Sequence, residues 1–320
     1  MIPWLSRCRH FLVPPSLCLG GLLAFLGLEP KKKAKEDPVV HTIKQGILAL
    51  QRGEYKKAEQ MLHLALKMSQ ERLDTQAETY CFDVMADIAL ANNELEKAEK
   101  LFLEVMRRLL STGTSQDDDA IVEISAKLAN IYSKRRDDSK AEQGYQFCIN
   151  TQREKISGLI GNLQDASLNA AEENSLTLLG MCMAMYAKHF IDRGKYREAR
   201  DLLTQSLEVA RKVFGETHPQ TLVIRNDLAL ISTMLKDYKE SIRIFEELVG
   251  SDAVSESEDL AVFMCNLGAS YLANGNIGKA QEYCGKAKEI AKKQNRWVAL
   301  NDAEGCLADI RQRREQMAKK

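Results

Sequence analysis

Six stretches of this chain place a small residue at the same point of a helix-like pattern, and that repetition limits the fold more than any other feature. They read "RGEYKKAEQMLHLAL" (52–66), "NNELEKAEKLFLEVM" (92–106), "RRDDSKAEQGYQFCI" (135–149), "RGKYREARDLLTQSL" (193–207), "LKDYKESIRIFEELV" (235–249) and "NGNIGKAQEYCGKAK" (274–288). The central small residues are Ala58, Ala98, Ala141, Ala199, Ser241 and Ala280. Four positions later come Leu62, Phe102, Tyr145, Leu203, Phe245 and Cys284. Twelve positions earlier lies a second small residue, at Gly46, Ala86, Ala129, Ala187, Ala229 and Gly268. Two antiparallel helices approach to the short end of the usual interaxial range only where small side chains face each other. Larger residues one turn away then fill the gap beside that contact. Gly53, Gly194 and Gly275, with Asn93, stand where the first helix of each pair must end and reverse. Tyr55, Tyr196 and Tyr238 follow, suited to bury a ring while the hydroxyl stays wet.

This is the pattern of the tetratricopeptide repeat, a helix–turn–helix unit of roughly 34 residues that stacks on its neighbours. The fold class expected is all-α: a tetratricopeptide-repeat solenoid of about six helical hairpins plus a C-terminal capping helix. The central residues are 40, 43, 58, 42 and 39 positions apart, so each pair carries extra length. The longest step holds an insertion near 154–174. Its Ile156, Leu159, Ile160, Leu163 and Leu168 argue for extended helix rather than loop. "STGTSQDDDA" (111–120) reads as a turn, with Asp117 to Asp119 capping the next helix. "GETHPQTL" (215–222) ends one helix and starts another, and resembles the junction in kinesin light-chain repeats. Residues 39–295 form the expected repeat array. Residues 296–320 form a capping helix with a polar, basic tail.

Composition removes several classes of function. Lys and Arg number 45 and Asp and Glu 45, so no global field favours nucleic acid. No Gly-rich phosphate loop, GxSxG or HExxH is present. His63 and His189 have no second ligand at a metal-binding offset on their helix faces and read as ordinary helix residues. The eight cysteines include no CxxC. Most of them fall on apolar helical faces, where a thiol acts as a small hydrophobe. Cys8 and Cys18 are spaced as in oxidatively folded intermembrane-space proteins, but a single pair in an apolar leader reads as coincidence. No enzyme activity, metal or cofactor is expected.

Residues 1–35 form a leader. Arg7 and Arg9 precede an uncharged run from Phe11 to Leu28, and "KKKAK" (31–35) follows it. As a helix the run spans roughly 27 Å, just under a ~30 Å hydrocarbon core, and Pro14 with Pro15 shortens it. A secretory signal, a mitochondrial presequence and a short membrane anchor all fit parts of this pattern.

Binding in such a solenoid runs along the face lined by the first helix of each pair. The carboxylate clamp of chaperone-binding repeats requires a Lys three residues before the small position and an Asn one residue after it. No repeat here has that Lys, and only Asn130 supplies the Asn, so this mode is rejected. The candidate protein-binding groove is instead Tyr80, Asp83 and Asp87 from the second repeat with Glu123, Asn130 and Lys134 from the third. It forms an acidic opening suited to a basic or amphipathic helix. The helix-packing residues are Ala58, Ala86, Ala98, Ala129, Ala141, Ala187, Ala199, Ala229 and Ala280.

Three stretches are more specific than the general repeat: "YCFDVMADIALANNELEKAEKLF" (80–102), "DDDAIVEISAKLANIYSKRRDDSKAEQGYQFCINTQREKI" (117–156) and "LLGMCMAMYAKHFIDRGKYREA" (178–199). From about 42 to 250 the chain resembles the tetratricopeptide repeat protein 19 family of mitochondrial inner-membrane proteins. The resemblance implies a non-catalytic adaptor anchored in the inner membrane with its repeats facing the intermembrane space. It implies that the partner is respiratory complex III, where the adaptor promotes removal of fragments of the Rieske iron–sulfur subunit. The alternative is a soluble tetratricopeptide scaffold that binds peptide or cargo in the manner of kinesin light chain.

Overall fold

Five residues ahead of each central small residue, the backbone turns left-handed. Gly53, Asn93, Arg136, Gly194, Lys236 and Gly275 all have φ between 61° and 86°. Each turn closes with the same two hydrogen bonds. Gly53 N donates to Leu50 O and Glu54 N to Ala49 O, both at 2.9 Å, and the pair recurs at Lys236 N to Thr233 O and Asp237 N to Ser232 O, at 3.0 and 2.8 Å. This is the Schellman closure, which satisfies carbonyls orphaned at a helix C-terminus and reverses the chain within a few residues. Sequence pattern identified four of the six positions. Arg136 and Lys236 carry side chains that disfavour this conformation, so composition gave no sign of them.

The computed structural model describes residues 37–160, 168–255 and 257–318. Among them run fourteen helices: α1 Pro38–Gln51, α2 Tyr55–Glu71, α3 Thr75–Ala91, α4 Leu95–Ser111, α5 Asp119–Lys134, α6 Asp138–Ile160, α7 Ala170–Asp192, α8 Tyr196–Phe214, α9 Pro219–Met234, α10 Tyr238–Val249, the four-residue α11 Asp252–Ser255, α12 Leu260–Ala273, α13 Ile277–Lys293 and α14 Trp297–Ala318. No strand occurs among the described residues. The hairpins are α1/α2, α3/α4, α5/α6, α7/α8, α9/α10 and α12/α13, and α14 follows the last of them. The fold is an all-α tetratricopeptide solenoid. The leader at 1–35 lies outside the described residues.

Local chemistry sets the boundaries. Asp118 caps α5 by accepting from Ala120 N at 2.9 Å. His218 caps α9 through Nδ1, which accepts from Gln220 N at 3.3 Å, with Pro219 in the first turn where its missing N–H costs nothing. The insertion of the third repeat lengthens both flanking helices, α6 and α7, to 23 residues. Ile156 is buried in α6. Leu163 lies outside the described residues, and Leu168 precedes α7 rather than joining it.

The helices divide into two units, described residues 37–185 and 186–318, with the division inside α7. Residues of α1–α5 build one continuous core in the first unit, around Leu62, Tyr80, Phe102, Ile124 and Ile131. In the second, α9–α14 enclose Phe245, Leu248, Phe263, Leu267 and Ile310. All nine packing alanines are buried. A Cβ added at Gly46 would stand 1.9 Å from Leu62 Cδ2, one at Gly144 would stand 2.8 Å from Ala129 Cβ, and one at Gly268 would stand 2.5 Å from Cys284 Sγ. Close helix approach is therefore present in the first, third and sixth hairpins. In the fifth, Ser241 replaces alanine, and its hydroxyl lies 2.6 Å from Thr233 Oγ1 and 3.0 Å from Ser270 Oγ. Three buried hydroxyls satisfy one another there, which lets a polar side chain occupy a packing position.

One cysteine expectation is corrected. Cys284 and Cys306 are joined in a disulfide between α13 and α14, with 6.3 Å between their Cα atoms. Neither acts as a free apolar filler. The sequence signal was weak, because each thiol sits singly on its helix and the pair meets only when α14 packs.

Candidate functional site

The acidic residues expected to line a groove converge, but not as an open acidic mouth. Asp83 and Asp87 stand one turn apart on α3, and Glu123 stands one turn before Lys127 on α5. Packing of the second and third repeats brings the Lys127 ammonium among all three carboxylates. Its Nζ lies 3.0 Å from Asp87 Oδ1, 3.1 Å from Glu123 Oε1 and 3.5 Å from Asp83 Oδ1. It donates a hydrogen bond to Asp87 Oδ2 at 3.1 Å and sits 5.2 Å from the Phe102 ring centroid. Asp83, Glu123 and Lys127 are buried, while Asp87 keeps a partly exposed edge. Tyr80 is 1% exposed, and its hydroxyl has no hydrogen-bond partner among the described residues. Asn130 is half-buried and Lys134 exposed on the following turns of α5.

Three carboxylates around one ammonium would carry two net negative charges if all were ionised. Burial makes that charge costly, so protons are retained. Burial pushes the Glu123 carboxyl up to about 8, and the nearby Asp83 and Asp87 charges add to the rise against the opposing pull of Lys127. Burial likewise raises Asp87 to about 6, with Lys127 as the main opposing influence. Desolvation and the same carboxylates raise the Tyr80 phenol. The cluster is an internal ion network that fastens α3 to α5 and holds a proton near neutral pH. Asp87 is its partly exposed edge, and Asn130 and Lys134 lie on the following turns of α5. Sequence reading missed Lys127, although the spacing of Glu123 and Lys127 is the ordinary i,i+4 signature of an ion pair.

Space beside this unit lies along the turn edges. A cleft of about 620 Å³ lies against Tyr55, Lys57, Glu59, Asn92, Glu94 and Lys97. Lys97 bridges Glu59 at 2.5 Å and Glu94 at 3.2 Å there, a mixed-charge rim with no convergent acid–base pair. In the second unit, Asn266 Nδ2 donates to Asn226 Oδ1 at 2.8 Å, and Asn226 Nδ2 donates to Asp227 Oδ1 at 3.1 Å. Burial pushes Asp227 up to about 8. No group of three or more His, Cys, Asp or Glu residues is placed to hold a metal ion among the described residues. The groups described above form a mixed-charge rim and two buried polar fasteners.

Comparison with known proteins agrees with the fold. Family models described as tetratricopeptide repeat match residues 179–250 and 261–294. The chain is 30% identical over 288 residues to the tetratricopeptide repeat protein 19 homolog, mitochondrial, of Drosophila melanogaster, covering 90% of this chain and 75% of the relative. It is 30% identical over 275 residues to tetratricopeptide repeat protein 19, mitochondrial, of Homo sapiens, covering 86% and 72%. The crystal structure of BtubC (BKLC) from P. vanneervenii superposes with a TM-score of 0.57 at 19% identity, covering 82% of this chain and 94% of that one. That last likeness concerns the fold alone.

Proposed function

The chain belongs to the tetratricopeptide repeat protein 19 family, and on that premise we propose that it is a non-catalytic mitochondrial adaptor. In this reading it binds respiratory complex III and keeps it intact by promoting clearance of Rieske iron–sulfur subunit fragments. The observation that carries the reading is the alignment with relatives named mitochondrial, which runs along 90% of this chain for the fly protein. Tetratricopeptide arrays are protein-binding scaffolds, and hairpin stacking supplies an extended surface for a partner. On the first helices of the second and third repeats, Asp87, Asn130 and Lys134 form the margin where a basic or amphipathic partner helix would dock, with Tyr80, Asp83 and Glu123 buried behind it.

The same reading places the repeats in the intermembrane space, held to the inner membrane by the leader. No helix among the described residues is long and apolar enough to cross a membrane. In this reading the attachment is the uncharged run from Phe11 to Leu28, bordered by Arg7 and Arg9 before it and Lys31 to Lys35 after it. Affinity capture of the full chain from detergent-solubilised mitochondria tests the partner. Complex III subunits, including Rieske fragments, are expected in the eluate. Recovery of none above a control bait removes the complex III assignment.

A further inference from the structure

Fully buried apolar side chains are few in α14, with Leu300 and Leu307 partly buried beside them. In α14 the buried residues are Ala299, Ala303, Cys306 and Ile310, so one side chain larger than cysteine is fully buried along 22 residues. Trp297, the largest side chain of the helix, is 71% exposed and adds little. The facing helix α13 offers an equally small set, Ala280, Cys284, Ala287 and Ala291. The ion pair between them, Lys288 to Glu304 at 2.9 Å, joins a half-buried lysine to an exposed glutamate and is worth little. What joins the two helices firmly is the Cys284–Cys306 bond. On the other flank of Cys284, α12 approaches so closely at Gly268 that a methyl added there would stand 2.5 Å from the sulfur.

We propose that Cys284 and Cys306 form an oxidatively installed latch that fastens α14 over the last hairpin, so that the redox state of this pair decides whether the array end is closed. The Cα separation of 6.3 Å lies within the range a disulfide bridges without backbone movement. Both residues are fully buried. Neither an oxidant nor a reductant reaches them while α14 is docked, so exchange proceeds only when the helix swings away. Formation is thiol–disulfide exchange with a disulfide oxidant such as glutathione disulfide. One thiolate attacks the oxidant and expels one glutathione thiolate, and the second thiolate attacks the mixed disulfide and expels the other. Two electrons pass to the oxidant, and two protons leave the cysteine pair. A persistent cross-link belongs to an oxidising compartment. The remaining described cysteines, Cys81, Cys148, Cys182 and Cys265, are buried and outside any disulfide, and serve as internal controls. This inference stands apart from the complex III reading and survives if capture fails.

The test takes the full chain from mitochondria lysed with thiols blocked, and maps alkylation by mass spectrometry after denaturation without reductant. Peptides containing Cys284 and Cys306 are expected cross-linked and unalkylated, while Cys265 is alkylated. Trypsin is then applied to oxidised and glutathione-reduced chain under native conditions. Reduction is expected to speed cleavage at Lys292, Lys293 and Arg296 by about tenfold or more, through local opening. The double variant Cys284→Ala/Cys306→Ala should cleave at the reduced rate under either condition. Cys265→Ala should keep the redox response. Recovery of both cysteines as thiols would overturn the latch, and so would equal cleavage of the oxidised and reduced wild-type chain.

Discussion

Lys127 sits where a lysine is expensive unless every neighbour needs it. It is 3% exposed and compensates Asp83, Asp87 and Glu123 at once. Lys127→Met keeps most of the volume and leaves the acids unpaired, so about 3–5 kcal/mol should be lost at pH 8. The loss should shrink at pH 5, where Glu123 and Asp87 hold protons, and urea titration at both pH values measures the difference. The sign for the wild type follows from Glu123, whose folded value, about 8, lies above the ordinary 4.5. A carboxyl raised on folding gives its full contribution below the ordinary value, and that contribution is lost as pH rises through the folded one. Stability should therefore fall between about pH 5 and 8.5. Glu123→Gln, which cannot ionise, should flatten that fall, and a slope equal to wild type would remove Glu123 from the account. Lys236 poses a separate residue-scale test. Its φ of 65° serves the turn but strains a β-carbon, so Lys236→Gly should stabilise the chain by up to about 1 kcal/mol. An unchanged or lowered unfolding midpoint would contradict the strain.

Among elements, the glycines separate close approach from mere tolerance. Inside an exposed helix, glycine costs about 1 kcal/mol relative to alanine. Gly285 in α13 and Gly305 in α14 have nothing within 4 Å of an added Cβ, so Gly285→Ala and Gly305→Ala should each raise stability by about that amount. Gly268→Ala should do the reverse. Its new methyl would meet Cys284 Sγ at 2.5 Å, Cys284 N at 3.0 Å and Ala280 O at 3.2 Å, of which two are backbone atoms and the third is tied by the disulfide. Gly46→Ala is milder, because the obstruction at 1.9 Å is the far end of Leu62, which can rotate. The order of stability expected is Gly285→Ala above wild type, then Gly46→Ala, then Gly268→Ala. Calorimetry on the three variants checks it, and a stabilised Gly268→Ala would contradict the α12–α13 contact. The helix ends show the same local logic: Asp118 and His218 are short-range caps, readable because donor and acceptor lie two residues apart.

For the molecule as a whole, the proposed leader would decide which partners are within reach. With residues 11–28 proposed as the inner-membrane attachment, Leu23→Arg should weaken it, since a mid-helix arginine costs roughly 2.5–3.5 kcal/mol on insertion scales. After carbonate extraction of mitochondria, wild type is expected in the pellet and Leu23→Arg partly in the supernatant. Release of nearly all wild-type protein would rule the attachment out. The hairpins and their order were legible without coordinates, because a small residue at a fixed offset records helix approach within about 20 residues of chain. Arg136 and Lys236 were not legible as turn residues, since the closure is backbone chemistry that overrides side-chain preference. Half of the candidate site was legible: alternation of polar and apolar residues placed Asp83, Asp87 and Glu123 on first helices, but it could not tell an open groove from a sealed ion cluster. By itself, then, the sequence determined the secondary structure, the repeat unit and the packing positions, all of which depend on neighbours one helix or one turn away. Only the tertiary structure decided that Lys127 reaches Asp87, 40 residues earlier, and that Cys306 meets Cys284 rather than filling the core alone. Those pairings depend on how one helix is rotated against another, and a periodic pattern specifies a helix face without specifying which atoms across the interface it meets.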